Sequence, residues 1–174
     1  MKTLVIISHP YPEQSRIISA LQQVAENQPN VSVRNLETLY GSTADSFDIA
    51  AEQKAQEAAD RVVYLFPIHW FNLTPMLKAY LNQVWSYGWA FGPGKALKDK
   101  EMQLVVSAGA SEFTYSHEGL IQSTMAEVLT PMKACAHYVG MKYLAPLAFY
   151  EAMDVGPDRL KEMATAFAQL LTAD

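Results

Sequence analysis

A chain of 174 residues that is 50% hydrophobic and 18% charged can bury a core of its own without disulfide or metal staples, which excludes a disordered polypeptide. Thirteen lysines and arginines against eighteen aspartates and glutamates leave a net charge of -5, which argues against nucleic acid and against a polybasic membrane surface. Cys135 is the single cysteine, so a disulfide framework is excluded and a reducing compartment is expected. The apolar run from Thr3 to Ile7 is too short for a signal-peptide core, and no stretch approaches the roughly 20 apolar residues that span a bilayer. The expectation is a soluble cytoplasmic protein of one domain, residues 1–174.

In chain order, Thr3 to Ser8 reads as a buried, β-branched strand, and the theme returns at Val31 to Leu36, Arg61 to Phe66, Met102 to Ala108 and Tyr143 to Tyr150. Helical patterns lie between. Ile17, Leu21, Val24 and Ala25 share one face, and an alanine-rich helix from Ile49 to Ala59 starts behind Asp48, a good N-cap. Thr74-Pro75 is a hydroxyl cap followed by proline at the first helical position, opening a helix from Met76 to Tyr87 that is apolar almost all round. A long helix is expected from Leu120 to Val139, kinked at Pro131, and another from Asp158 to Leu171. Strands that are apolar on both faces and alternate with helices make a parallel sheet covered on both sides. Five such units fit a flavodoxin-like three-layer α/β sandwich of order 2-1-3-4-5.

That topology binds ligands beyond the carboxyl ends of the strands, at the switch point between the first and third. Three loops therefore matter. The first runs from Ser8 to Arg16 and opens a helix, whose unpaired N–H groups accept phosphate, with His9, the Ser15 hydroxyl and Arg16 able to complete the site. Against this, no glycine-rich cradle is present, and a lone histidine is more often structural. The second runs from Phe66 to Pro75, where Trp70-Phe71 is either a wall for a flat ligand or a hydrophobic plug. The third runs from Ser107 to Tyr115. Small residues there let a ring approach the backbone, and Gly109 can adopt positive φ, which frees successive N–H groups for an anionic edge. Tyr115 is either a proton donor or acceptor, or a pocket wall.

Other residues point elsewhere. Cys135 and His137 lack zinc-type partners, so no metal site is expected. Asp45, Asp48 and Glu52 read as loop solvation and a helix cap. No Ser-His-Asp or paired-carboxylate spacing supports hydrolysis. The apolar helix and the aromatic loop Tyr87 to Phe91 suggest a homodimer with this loop near the active site.

Several stretches together resemble the flavodoxin-like NAD(P)H:quinone oxidoreductase family, and most closely its short bacterial branch, the ancillary subunits of glutathione-gated potassium efflux systems. They are His9-Pro10-Tyr11-Pro12 with Ser15, Asp48 to Gln53, Pro67 to Phe71 running into Pro75 to Lys78, Trp85 to Gly92, and Ser107 to Tyr115. The resemblance implies a tightly bound flavin. Its phosphate would sit at His9, Ser15, Arg16 and the backbone of Ile17 and Ile18. Its ring would lie against Pro67, Ile68, His69, Trp70 and Phe71. Its pyrimidine edge would meet Ser107, Ala108, Gly109 and Ala110. Gly109 and Tyr115 would then be the catalytic positions, in transfer of hydride from NAD(P)H through the flavin to a quinone by a ping-pong route. The chain departs from the family's Thr-Thr-Gly-Gly at Ser107 to Ala110, and Ile121 stands where animal members have a histidine. With no added carboxyl-terminal lobe to cover an adenosine, FMN is expected over FAD. The rival expectation is a regulatory flavoprotein that docks on a membrane potassium efflux transporter, peripheral to the membrane, with turnover secondary.

Overall fold

The structure is a computed structural model and describes residues 1–173. Four strands, β1 (Thr3–Ile7), β2 (Val31–Asn35), β3 (Arg61–Pro67) and β4 (Glu101–Ser107), pair in parallel in the order β2-β1-β3-β4. Two short strands, β5 (Lys142–Tyr143) and β6 (Leu147–Phe149), both pair in parallel with β4 and share the fifth place. The expected order therefore holds.

Alternation along the strands builds a core on each face of the sheet. Val5, Ile7, Val63, Leu65 and Val105 pack against α1 (Arg16–Glu26) and α7 (Pro157–Thr172), which contribute Ile18, Leu21, Met163 and Phe167. Leu4, Ile6, Val62, Tyr64, Leu104 and Val106 face the other core. That side is covered by α2 (Leu36–Tyr40), α3 (Ile49–Glu57), α4 (Pro75–Val84), α5 (Met125–Val128) and α6 (Thr130–Val139). Truncating a fully buried side chain such as Phe167 to alanine costs about 3–5 kcal/mol in such a core. At the amino ends of the strands, Lys2 N–H donates to Asp60 at 2.7 Å. The Arg61 guanidinium holds Glu101 at 2.7 Å and donates to the carbonyls of Leu170 and Ala173 at 3.1 Å each.

Both expected caps form: the Asp48 carboxylate accepts from Ala51 N–H at 3.0 Å and the Thr74 hydroxyl from Leu77 N–H at 3.2 Å. Five details differ from expectation. The second strand stops at Asn35, whose side chain caps α2 by accepting from Thr38 N–H. The fifth strand is divided, because Pro146 has no N–H to give the ladder and Gln103 Nε2 bonds the Ala145 carbonyl instead, at 2.8 Å. The long helix from Leu120 begins only at Met125, behind a capping box of Thr124 and Glu127, and divides before Pro131, which sits in the first turn of α6 rather than at a mid-helix kink. Helix α4 ends at Val84, and its Met76, Leu77, Tyr80, Leu81 and Val84 are all used by the chain's own core, leaving Lys78 and Asn82 outward. That helix is not apolar all round.

Glu52 is the fifth. Read from sequence as surface, it is fully buried. Its Oε1 accepts from Arg34 Nε at 2.7 Å and from Tyr40 at 2.6 Å, and its Oε2 accepts from Tyr80 at 3.1 Å. One turn on, buried Gln56 donates to Tyr80 at 2.9 Å and accepts from Tyr64 and the Trp85 indole at 3.2 Å each. A buried carboxylate is tolerable only with such a full set of donors. Burial holds Tyr64 and Tyr80 far above the usual phenol range, and the Glu52 pairing lifts Arg34 further still.

Candidate functional site

The exits of β1, β3 and β4 at the carboxyl edge are each stitched to the next strand. Ser8 N–H donates to Leu65 O at 3.0 Å, Ile68 N–H to Ser107 O at 2.8 Å, and Ala108 N–H to Phe149 O at 2.8 Å. The loops after β1, β3, β4 and β6 therefore leave from one level, around one cleft.

In the first loop Tyr11 N–H donates to His9 Nδ1 at 3.0 Å, so the neutral ring carries its proton on Nε2. Burial first, and then the nearby His69, hold the His9 pKa below its ordinary value, with Glu13 opposing. Ser15 caps α1 by accepting from Ile18 N–H at 3.2 Å, which commits that N–H and leaves those of Arg16 and Ile17 outside the intrahelical ladder. Arg16 Nη1 donates to Val155 O at 2.9 Å, anchoring α1 to the turn beyond β6. His9, Tyr11, Gln14, Ser15, Arg16 and Ile17 line one side of a cavity of about 270 Å³, and Ala152 to Val155 line the other. Of the residues named for a phosphate, only Ile18 stands outside this lining.

Beneath the loop, buried Ser8 donates to Glu37 Oε1 at 2.8 Å and bonds the Thr74 hydroxyl. Glu37 Oε2 is buried and has no partner among the described residues. Desolvation raises this carboxyl's pKa against the bonds from Ser8 and the His9 N–H.

The second loop is a hairpin of two residues. His69 N–H donates to Asn72 O and Asn72 N–H to His69 O, both at 2.9 Å, with Trp70 and Phe71 between them at φ 45° and 61°. A turn with both central residues left-handed ordinarily carries Asn-Gly, because a side chain there costs about 1 kcal/mol or more. Trp70 is nevertheless 92% exposed and Phe71 44%, so the plug reading fails and the rings stand at the surface.

In the third loop Gly109 does not take the expected positive φ, and the N–H groups of Gly109 and Ala110 nonetheless have no backbone acceptor among the described residues, because the turn after β6 bonds this loop's carbonyls instead. The carbonyls of Ala108 and Ala110 accept from Ala152 and Glu151 N–H at 3.0 Å each, which fastens that turn against this loop. Tyr115 is buried, with its ring 6.1 Å from Phe71 and 5.7 Å from Tyr150, tying the second and third loops together. Burial raises the pKa of Tyr115 and, with Glu112 and Tyr115 adding to it, that of Tyr150. His117 lies outside this cluster, paired with Glu127 at 2.8 Å on the surface.

Tyr150 was expected as the end of the fifth strand, and the segment from Glu151 to Val155 beyond it went unread in the sequence; Pro146 was the available signal that the strand is not uniform. It lines both the 270 Å³ cavity and a neighbouring one of about 460 Å³ that reaches Gly109, Ser111 and Arg159. A cleft at a helix N-terminus lined by His9, Ser15 and Arg16, the uncommitted N–H groups of Gly109 and Ala110, and exposed rings on a left-handed turn together fit a planar group with a phosphate tail.

A family model described as flavodoxin-like fold matches residues 1–172. The glutathione-regulated potassium-efflux system ancillary protein KefF of Salmonella typhi is 33% identical over 174 residues, covering 98% of this chain and 95% of that protein. Among solved structures, the general stress protein 14 of Treponema denticola in complex with FMN is 35% identical, with a TM-score of 0.88 over 98% of this chain and 96% of its own. An NADPH-quinone reductase from P. pentosaceus is 29% identical, with a TM-score of 0.91 over 100% of this chain and 99% of its own.

Proposed function

The chain belongs to the family with the flavodoxin-like fold, and from that premise we propose that it is a flavin-dependent NAD(P)H oxidoreductase passing two electrons to quinones. FMN is the cofactor of choice, with FAD as the alternative; the similar Treponema protein's complex with FMN supports this. The likeness to an NADPH-quinone reductase supports the substrate classes. The observation that carries the reading is the exposed, left-handed Trp70-Phe71 turn at the same end of the sheet as the cleft that His9, Ser15 and Arg16 line at the start of α1. Backbone strain persists where the surroundings over-determine it, and such positions cluster at ligand clamps.

When bound, the flavin supplies the redox chemistry, taking two electrons from a nicotinamide and yielding them to a quinone. His9, Ser15, Arg16 and the backbone of Ile17 and Ile18 would hold the phosphate; Ile17 through its open N–H, Ile18 through the end of α1 as a whole. Pro67, Ile68, His69, Trp70 and Phe71 would present the ring's resting surface. Ser107, Ala108, Gly109 and Ala110 would hold its polar edge, the two open N–H groups offsetting negative charge there. Tyr115, kept a phenol by burial, would hold a proton at its hydroxyl oxygen beside Phe71.

One slot serves both substrates in turn, so the kinetics should be ping-pong. Mass spectrometry of cofactor released from purified protein, then turnover at several fixed quinone concentrations, tests both statements. Protein that holds no flavin and binds no added FMN overturns the function; intersecting double-reciprocal lines overturn the shared slot.

A cytoplasmic homodimer completes the proposal. Tyr87 and Tyr138 are exposed beside an apolar cavity of about 360 Å³ lined by Leu81, Trp85, Phe91 and Cys135. Sedimentation at graded concentration checks it. The similarity to KefF favours a second reading, a regulatory subunit bound peripherally to a potassium efflux transporter. Among the described residues no helix is long and apolar enough to cross a membrane. Co-purification with such a transporter, set against turnover of the isolated protein, separates the two readings.

A further inference from the structure

Eight methionines occur in the chain. Six of them, Met76, Met102, Met125, Met132, Met141 and Met163, are 6% exposed or less. Met1 is the chain's first residue, and Met153 is 87% exposed. An oxidant in solution therefore meets Met153 as the accessible internal thioether.

Its position is specific. The turn that carries it is held by the N–H groups of Glu151 and Ala152 on the carbonyls of Ala110 and Ala108, and by Arg16 on Val155 O. Glu151 adopts φ 57°, which turns the chain back over the third loop. A Cβ built on Gly109 would lie 3.1 Å from Met153 Cγ and 3.6 Å from its sulfur, so this side chain lies against the one position of the third loop that has no side chain of its own. Met153 also lines both the cavity at the start of α1 and the cavity reaching Gly109. A flexible, apolar thioether thus stands where the phosphate end and the Gly109 edge of the cleft meet.

Resting on the flavin reading above, we infer that Met153 is an oxidation site that governs cofactor retention: bound FMN shields its sulfur, and oxidation of that sulfur weakens FMN binding. The reaction is oxygen-atom transfer from a peroxide. The O–O bond of hydrogen peroxide breaks, one oxygen joins sulfur as the sulfoxide, and the other leaves as water. Sulfur loses two electrons and the peroxide gains them. The product is polar and chiral where a flexible apolar thioether stood. Because the two equilibria are linked, shielding and weakening are one coupling seen from two sides.

The test treats the full chain with hydrogen peroxide, with and without saturating FMN. Peptide mass spectrometry follows the added oxygen, and fluorescence quenching gives the FMN Kd. The Met153 peptide should gain oxygen ahead of the six buried methionines, and FMN should slow that gain. Protein with Met153 fully converted should bind FMN about 5-fold more weakly or worse, at the lower end of ordinary site-to-site coupling. In the variant Met153→Leu, the same peroxide treatment should leave the FMN Kd where it stood before treatment. Equal oxidation rates with and without FMN, or an unchanged Kd after full conversion, overturn the inference. Untreated protein that fails to bind FMN overturns the flavin reading itself, and the inference with it.

Discussion

Replacing Trp70 by asparagine should make the protein more stable and a poorer binder of flavin at once. Trp70 sits at φ 45°, where an ordinary side chain costs about 1–2 kcal/mol, and asparagine tolerates that region. At 92% exposure the indole contributes almost no burial to offset the relief. The expected gain is about 1 kcal/mol, which at a urea slope of roughly 2 kcal/mol/M raises the unfolding midpoint by about 0.5 M. Phe71 is the internal control. Phe71→Gly relieves similar strain at φ 61°, but forfeits roughly half of the 1.5–3 kcal/mol of a buried ring and adds the unfolded-state freedom of glycine, so its net effect is near zero or destabilising. Both variants should lose about 0.5–1.5 kcal/mol of stacking, or roughly 2- to 10-fold in FMN affinity. Urea melts on apoprotein and fluorescence titration with FMN give the two numbers. If Trp70→Asn melts at or below the wild-type midpoint, the strain argument is wrong; if FMN affinity is unmoved, the turn is not the platform.

Burial lifts the Glu37 carboxyl above its unfolded pKa near 4.5, so the stability this group supplies is full below that value and is lost as pH rises through the folded one. Glu37→Gln should flatten that fall in urea melts stepped from acid to neutral pH, and an undiminished slope in the variant counts against the assignment. Glu52→Ala strands the Arg34 guanidinium and the Tyr40 and Tyr80 hydroxyls, at a cost of about 3–5 kcal/mol and roughly 10 °C in melting temperature. A drop of only a degree or two by calorimetry would mean that water replaces the carboxylate. Ser15→Ala should cost about 1 kcal/mol through the lost cap, whereas Ser15→Asp keeps the cap and sets a negative charge at the phosphate cleft. Stability near wild type with FMN affinity down by about tenfold or more is expected for the aspartate; unimpaired binding would move the phosphate elsewhere.

The elements legible from sequence were those whose signal is local. Thr74-Pro75 and Asp48 cap helices through bonds that span three residues, and β-branched runs mark buried strands, so the layering and the sheet order followed. The three loops were placed by topology alone. What stayed hidden depends on distant partners or on strain. Glu52 in an alanine-rich helix reads as solvent-facing until Arg34, on another element, is seen to reach it. Trp70-Phe71 violates turn propensity, so no propensity argument could have put both residues in the left-handed region. The contribution of Tyr150 to Val155 required knowing that the ladder breaks at Pro146 and resumes for three residues.

The Arg61 clamp on the carbonyls of Leu170 and Ala173 and the Lys2 tie to Asp60 place Lys2 and Ala173 at the amino rim of the sheet. The candidate cleft lies at the opposite rim. Anchored to a resin at that amino rim, the molecule would turn the proposed flavin cleft toward the bulk solution, so immobilised protein should bind FMN as free protein does.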